Sequence, residues 1–353
     1  MYLERLSLTN YRNYTKQSFR FNRKVIIRAP NGSGKSNLLE AIQLLATGTS
    51  ERAGKIEEMI KFDAEVASVV GVVANVDGSY TELSVILTRG MVAGKKAPKR
   101  RYLVDGIART KSVFVSRLVT MMFAPGDMRL IEGSRERRRN YMDLTLSVAH
   151  PEYVRALGAY EATLLRRNRL LDNIREGRSR VSELSYWDQS LIKNGEIVKR
   201  YREDYLRYLS EEVEVSYDKY QIDYVASIVS PAKLAEHLQA EIALGYTLVG
   251  PHKDDFRVMT RVDKDLKVFG SRGEQRLGVL FLKTGAMQYL TNKLKVKPII
   301  LLDDVFSELD EVHRSEILSL QNEGQMIITT AETNLGIGLP EFEEVGLESL
   351  GFR

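Results

Sequence analysis

The chain has 353 residues, of which 43% are hydrophobic and 28% charged; that is room for about two domains with a sizeable core and excludes whole-chain disorder. With no cysteine, disulfides, iron–sulfur clusters and cysteine-based zinc sites are excluded, and His150, His237, His252 and His313 show no metal-ligand spacing. Lys plus Arg number 52 against 47 Asp plus Glu, a net charge of +5, which is compatible with a polyanionic partner without requiring one.

Met1 to Asn10 carries Glu4 and Arg5 and lacks the apolar stretch of a secretory signal. No apolar run approaches the roughly 18 residues of a spanning helix. A cytoplasmic protein with no membrane partner is expected. Leu3, Leu6 and Leu8 alternate with polar residues, and Val25-Ile26-Ile27 is a compact apolar run, so the chain is expected to start with strands. Leu38, Leu39, Ile42 and Leu45 then share one 3.6-residue face from Ser36 to about Ala46, with Gly48 as the stop.

Between that strand and that helix lies Ala29-Pro30-Asn31-Gly32-Ser33-Gly34-Lys35-Ser36, the context a phosphate-binding loop requires. Backbone N–H groups turning into a helix N-terminus surround a triphosphate, Lys35 neutralises its β and γ oxygens, and the Ser36 hydroxyl ligates Mg²⁺. Ala29 stands where this pattern has glycine, which a backbone with negative φ accepts. An ordinary glycine-rich turn is the alternative.

From Glu65 to Arg109 Val-rich strands are punctuated by Asp77-Gly78 and Asp105-Gly106, both hairpin turns, and predict an antiparallel patch. Pro151 to Leu244 is rich in Leu, Arg, Glu and Tyr and reads as helical. After Gly250-Pro251 the pattern returns to mixed α/β, with a helix around Glu274 to Tyr289, a buried strand Pro298 to Leu302, a helix near Val312 to Leu320 and a strand Gln325 to Thr329. The fold class expected is therefore α/β, with one discontinuous domain, residues 1–125 plus 246–353, and a mainly helical arm, residues 126–245, inserted in it.

Two further segments carry chemistry. Ile299 to Leu302 ends in Asp303-Asp304, as a central parallel strand does when its carboxyl end faces a ligand crevice; Asp303 is then placed to hold Mg²⁺ and Asp304 to orient or deprotonate the attacking water. A strand followed by a helix cap explains the acids equally well. Ser271-Arg272-Gly273-Glu274-Gln275 opens the helix bearing Leu277, Leu280, Phe281 and Met287, where a hydroxyl, N–H groups and the dipole meet an anion, or where a plain helix cap sits.

Taken in order, these residues resemble the ABC-type ATPases: Ala29 to Ser36 looks like Walker A, Ser271 to Gln275 like the signature, Asp303-Asp304 like Walker B and Ser307-Glu308-Leu309-Asp310 like the D-loop. Within that superfamily Asn10 to Tyr14, Asn37 to Ile42, Pro125 with Asp127, Glu132 to Ser134 with Arg137 to Arg139, Arg167-Asn168, Trp187-Asp188 and Gly250 to Asp255 resemble the RecF family over nearly the whole chain. The resemblance implies ATP and Mg²⁺ as ligands of an ABC-type head. It places Pro30, Asn31, Gly32, Ser33, Gly34, Lys35, Ser36 and Asn37 around the nucleotide and Arg12 near its phosphates. It also puts Thr329 or Thr330 at the switch position and Ser271, Gly273 and Glu274 on the nucleotide of a second copy.

The implied role is recombinational repair and SOS induction. In it an ATP-driven homodimer clamps DNA at single-strand/double-strand junctions with slow hydrolysis, alongside RecO, RecR and, indirectly, RecA. Gly126, where the pattern has an acid, and Ala331-Glu332 depart from the family. An SMC-like structural ATPase needs a long coiled coil that the segment between Ser36 and Ser271 lacks. A small-molecule P-loop kinase needs an acceptor site but neither signature nor D-loop.

Two basic clusters are candidate phosphate contacts: Lys95, Lys96, Lys99, Arg100 and Arg101, and Arg166, Arg167, Arg169, Arg175, Arg178 and Arg180. For either one, a solvated charged face is the alternative. Tyr201, Tyr205, Tyr208 and Tyr217 have the spacing of a helix packing face, and His252 reads as a turn residue.

Overall fold

The computed structural model describes residues 1–50, 52–213, 220–305, 314, 324–331, 341–347 and 351–352. They form two compact units, Met1–Asp127 with Ala286–Arg353, and Met128–Gly285. No helix among the described residues is long and apolar enough to cross a membrane.

The first unit begins with β1 (Tyr2–Tyr11) and β2 (Tyr14–Arg20), an antiparallel pair that turns at Arg12-Asn13. β3 (Lys24–Arg28) follows, and its Val25, Ile26 and Ile27 have no exposed surface. α1 (Lys35–Thr47) ends where Gly48 adopts φ 68°, the left-handed cap that glycine takes without a Cβ penalty. β4 (Val66–Ala74) and β5 (Tyr80–Thr88) flank the Asp77-Gly78 turn. The hairpin of β6 (Met91–Val92) and β7 (Lys95–Lys96) comes next, then β8 (Arg100–Val104) and β9 (Ile107–Arg109) around Asp105-Gly106. After the short α2 (Lys111–Phe114), β10 (Thr120–Phe123) closes the amino-terminal part.

In the second unit α3 (Arg129–Glu132) leads into α4 (Arg135–Ala149), capped by Ser134, whose hydroxyl accepts from the Arg137 N–H. The helices α5 (Pro151–Arg175) and α6 (Leu184–Glu212) pack together. β11 (Gln221–Val225) precedes α7 (Pro231–Leu244) and pairs antiparallel with β12 (Asp255–Met259). α8 (Leu266–Phe269) and most of α9 (Arg272–Leu294) complete this unit. It is the helical arm, but it extends past the expected limit: residues 246–285 group with it, because β12 pairs with β11 and because Asp254 and Asp255 are bound by Arg202 and Arg138.

The chain then adds β13 (Ile299–Asp303), β14 (Met326–Thr330), β15 (Glu343–Gly346) and β16 (Gly351–Phe352) to the first unit. Two sheets result: an antiparallel one in the order β16-β2-β1-β4-β5-β8-β9 and a parallel one in the order β10-β13-β14-β3-β15. α1 lies against β4 and β5 of the first and β10, β13 and β14 of the second. A helix covered on both sides buries even its polar residues, and Glu40, Gln43 and Thr47 are buried along with Leu38 to Ala46. The expected helix near Val312 to Leu320, Tyr217 and the segment Ser307 to Asp310 lie outside the described residues, Arg314 apart.

Candidate nucleotide and nucleic-acid sites

All five strands of the second sheet run parallel, so the carboxyl ends of β3, β13 and β14 share one edge, the place where ligands bind in open α/β sheets. The glycine loop leaves β3 there. Gly32 has φ 80° and Gly34 φ 111°; a Cβ on Gly34 would also stand 2.6 Å from Asn13 Nδ2 and 2.8 Å from the Tyr14 hydroxyl. Glycine at 34 is thus required twice, by conformation and by space. The turn after β1 braces the loop from outside: Asn13 Nδ2 donates to the Ser33 carbonyl (3.2 Å), the Tyr14 hydroxyl to that of Gly34 (3.0 Å), and Asn37 Nδ2 to Asn13 Oδ1 (2.9 Å). Burial pushes the Tyr14 phenol up to about 12, so it remains a donor.

Lys35 is 5% exposed, and its ammonium donates to the carbonyls of Ala29 (2.5 Å) and Pro30 (3.1 Å). Among the described residues it forms no ion pair. A cation sequestered without a counter-charge is costly. Among the described residues the adjacent Ser33 Oγ is buried with no hydrogen-bond partner, and the N-terminus of α1 has neither a side-chain cap nor an acid in its first turn. Buried positive charge, an unused hydroxyl and an uncapped helix dipole together fit an anion such as a triphosphate.

At the ends of β13 and β14, in register with each other, Asp303 and Thr329 meet the helix residue Ser36. Asp303 Oδ1 accepts from Ser36 Oγ (2.9 Å) and from Thr329 Oγ1 (3.0 Å), while Asp303 itself is 6% exposed. A buried carboxylate next to a hydroxyl is a hard-oxygen pair suited to Mg²⁺. Asp304 takes φ 56°, its N–H donates to the Thr329 carbonyl (3.0 Å) and its Oδ1 accepts from the Ala331 N–H (3.2 Å). Left-handed backbone at a non-glycine residue is uncommon and here sets the second acid apart from the strand. Thr330 is tied to the loop through its carbonyl, which accepts from the Ala29 N–H (3.2 Å).

Arg12 also has positive φ, 51°. Its Nε and Nη2 grip the buried Glu40 of α1 (2.9 and 2.7 Å) and its Nη1 donates to the Glu58 carbonyl (2.8 Å). In this structure the guanidinium, expected near phosphates, is engaged by the Glu40 carboxylate, and Arg12 stands one residue before the bracing Asn13. Neither Glu40 nor the bracing pair Asn13 and Tyr14 stands out in the sequence as a site residue; the only signal was their place in family-like segments.

Within the second unit, Ser271 and Glu274 form a capping box at the start of α9: Glu274 Oε2 accepts from the Ser271 N–H (2.7 Å) and hydroxyl (2.8 Å), and the Glu274 N–H donates to Ser271 Oγ (3.3 Å). These bonds hold the Glu274 carboxyl below its usual range. Ser271, Arg272, Gly273 and Glu274 are exposed, and a Cβ on Gly273 would meet nothing. The cap reading and the signature reading describe the same exposed helix end.

The first basic cluster is mostly open to solvent. Lys95, Lys96 and Arg101 are exposed, Arg100 is half-buried, and Lys99 pairs with Glu57 (2.6 Å). In the second cluster Arg166, Arg169, Arg175, Arg178 and Arg180 are exposed, and Arg167 alone is a correction. Arg167 has no exposed surface; it is bound to Asp188 (2.7 Å), Glu241 (2.7 Å) and Thr247 (2.8 Å), so it cannot follow a DNA backbone. Arg166 lies over Trp187, Arg175 pairs with Asp172 (2.6 Å) and Arg178 with Glu176. Tyr205 is buried against Tyr141 (2.6 Å between hydroxyls), as a packing residue should be. His252 sits in the turn Pro251–Lys253 with Tyr160 (2.6 Å) and the Thr247 carbonyl (3.0 Å) on its two nitrogens; burial first of all lowers it to about 4, which makes it neutral.

The model of the RecF/RecN/SMC N-terminal domain matches residues 2–341. The DNA replication and repair proteins RecF of Bacillus cereus and Bacillus anthracis are each 32% identical to the chain, over 95% of it and 93% of their own length. A solved structure described as the recombination mediator protein RecF-ATPrS in the RecFOR pathway superposes with a TM-score of 0.84 at 31% identity, covering 95% of this chain and 93% of that one. The corresponding RecF-ATP structure superposes equally well.

Proposed function

This chain belongs to the RecF family, within the wider class of RecF, RecN and SMC N-terminal domains, and from that premise we propose that it is an ATP-dependent DNA-binding protein of recombinational repair. The observation that carries the reading is the convergence of Ser36, Asp303 and Thr329 at the strand ends beside a glycine loop that holds a buried, uncompensated lysine.

Lys35, the loop N–H groups and the α1 dipole bind the triphosphate of ATP. Ser36 and Asp303 are the residues to hold Mg²⁺, which when bound neutralises charge on the β and γ oxygens. Asp304 orients the attacking water and accepts its proton. Thr329 fixes the Asp303 carboxylate, and Thr330 ties the switch strand to the loop. Ser271, Gly273 and Glu274 of a second copy close on the γ-phosphate, which makes ATP a dimerising ligand. Lys95, Lys96 and Arg101 meet phosphates of DNA regardless of sequence, with Lys99 and Arg100 beside them. The dimer clamps single-strand/double-strand junctions in the cytoplasm and works with RecO and RecR towards RecA loading and SOS induction, and hydrolysis is slow because it times release.

The test is the mass in solution, with Mg²⁺-ATP and gapped duplex, of the wild type and of Asp304→Asn. The variant should remain an ATP-bound dimer and hydrolyse about 10² to 10⁴ times more slowly. Wild-type hydrolysis by Asp304→Asn removes the role given to Asp304, and a monomer indifferent to ATP removes the clamp.

A further inference from the structure

Phe62 is 90% exposed, more than any other large apolar side chain among the described residues. A single exposed apolar residue is ordinary on a mobile loop tip, but this one stands on a fastened loop. The Arg89 guanidinium donates to the carbonyls of Lys61 (3.3 Å), Phe62 (3.2 Å) and Ala64 (3.0 Å). On the other side the Lys61 N–H donates to the Asn10 carbonyl (2.8 Å), and Lys61 Nζ bonds Thr15. The aromatic ring is therefore presented to solvent by a backbone whose position is set from both flanks.

The same loop is joined to the basic hairpin. Glu65 Oε2 accepts from the Ala93 N–H (2.9 Å), and Ala93 and Gly94, both at positive φ (49° and 74°), form the two-residue turn between β6 and β7. That turn displays Lys95 and Lys96, both exposed, with the half-exposed Met91 beside them. Glu57 is paired with Lys99, while Asp63, next to Phe62 in sequence, is exposed. Its charge disfavours a phosphate at Phe62, so phosphate attraction on this surface comes from the lysines.

An aromatic face beside a cationic ridge is the pattern that receives single-stranded nucleic acid, with the backbone on the cations and a base on the ring. We propose that Phe62 is a stacking platform for an unpaired base, and that the ring with the Lys95-Lys96 hairpin forms one surface that prefers single-stranded DNA and junctions to blunt duplex. This rests on the DNA-binding reading above and adds to it the residue that recognises the unpaired strand. Arg89 is a positioning residue for that platform.

The experiment measures binding of labelled single-stranded, gapped and blunt duplex DNA to the full chain with Mg²⁺-ATP, across a salt series. Phe62→Ala should lose about tenfold on single-stranded and gapped DNA with an unchanged salt slope, and little on blunt duplex. Phe62→Trp should keep the affinity and show quenching by single-stranded DNA beyond that of the wild type, whose one tryptophan is Trp187. Lys95→Ala with Lys96→Ala should lower the salt slope on every substrate by about two. Phe62→Ala binding single-stranded DNA as tightly as wild type, with the lysine variant weakened, overturns the platform and leaves the DNA reading standing. A wild type that binds none of the three DNAs overturns both.

Discussion

Two regions of this molecule bury charge, and they do so in opposite ways. In the arm, Arg202 is 2% exposed and every one of its nitrogens is used: Asp143 at 2.8 Å, Asp254 at 2.8 Å, the Pro251 carbonyl at 2.7 Å and the Tyr153 hydroxyl at 3.2 Å. Asp254 is in turn held by the Tyr224 hydroxyl (2.6 Å) and the Ser227 N–H (2.7 Å). In the head, Lys35 is nearly as hidden, but among the described residues it meets two carbonyls and no acid, and Asp303 meets two hydroxyls and no cation. A closed set of charges holds a fold together; an open one is arranged for something that arrives later.

The largest effect that can break this contrast is in the arm. Arg202→Ala leaves the buried Asp254 and the half-buried Asp143 without their cation and should cost about 3–5 kcal/mol in urea denaturation; a loss below about 1 kcal/mol would mean the network is not structural. Next comes pH. His252 is neutral when folded, lowered from 6.5 to about 4, so the unfolded chain takes up the extra proton between those values. Stability is complete above about 6.5 and falls by up to about 3 kcal/mol as the pH drops to about 4. His252→Gln should flatten that window of the stability–pH curve. In the head, Lys35→Met without nucleotide should leave stability within about 1 kcal/mol of wild type or raise it, since the donor lost to two carbonyls is offset by removing a buried charge that has no counter-charge among the described residues. The smallest effect is Asn13→Ala, which unbraces the loop and should weaken ATP binding by tenfold or less, with little change in melting temperature.

The head site was legible because its chemistry is written in contiguous strings whose neighbours are a strand and a helix: Gly32, Gly34, Lys35 and Ser36 in one, Asp303 and Asp304 in the other. The hairpins were legible from Asp77-Gly78 and Asp105-Gly106, and the end of α1 from Gly48, because each needs positive φ. Buried ion pairs leave no such mark. Arg167 looked like part of a basic face, although its partners Asp188 and Glu241 lie 21 and 74 positions further along the chain, too far for a local pattern to join them. The extent of the arm was hidden for the same reason: the β11–β12 pairing and the Asp254 and Asp255 contacts are long-range. Phe62 carried no signal, since exposure is a property of the folded loop.

If the open charges of the head are a Mg²⁺-ATP site, nucleotide binding must depend on both the metal and Lys35. Calorimetric titration of ATP into wild type and Lys35→Met, with Mg²⁺ and with EDTA, tests it directly. The wild type should bind in a Mg²⁺-dependent way and Lys35→Met about a hundredfold more weakly. Equal binding by the two proteins would contradict it.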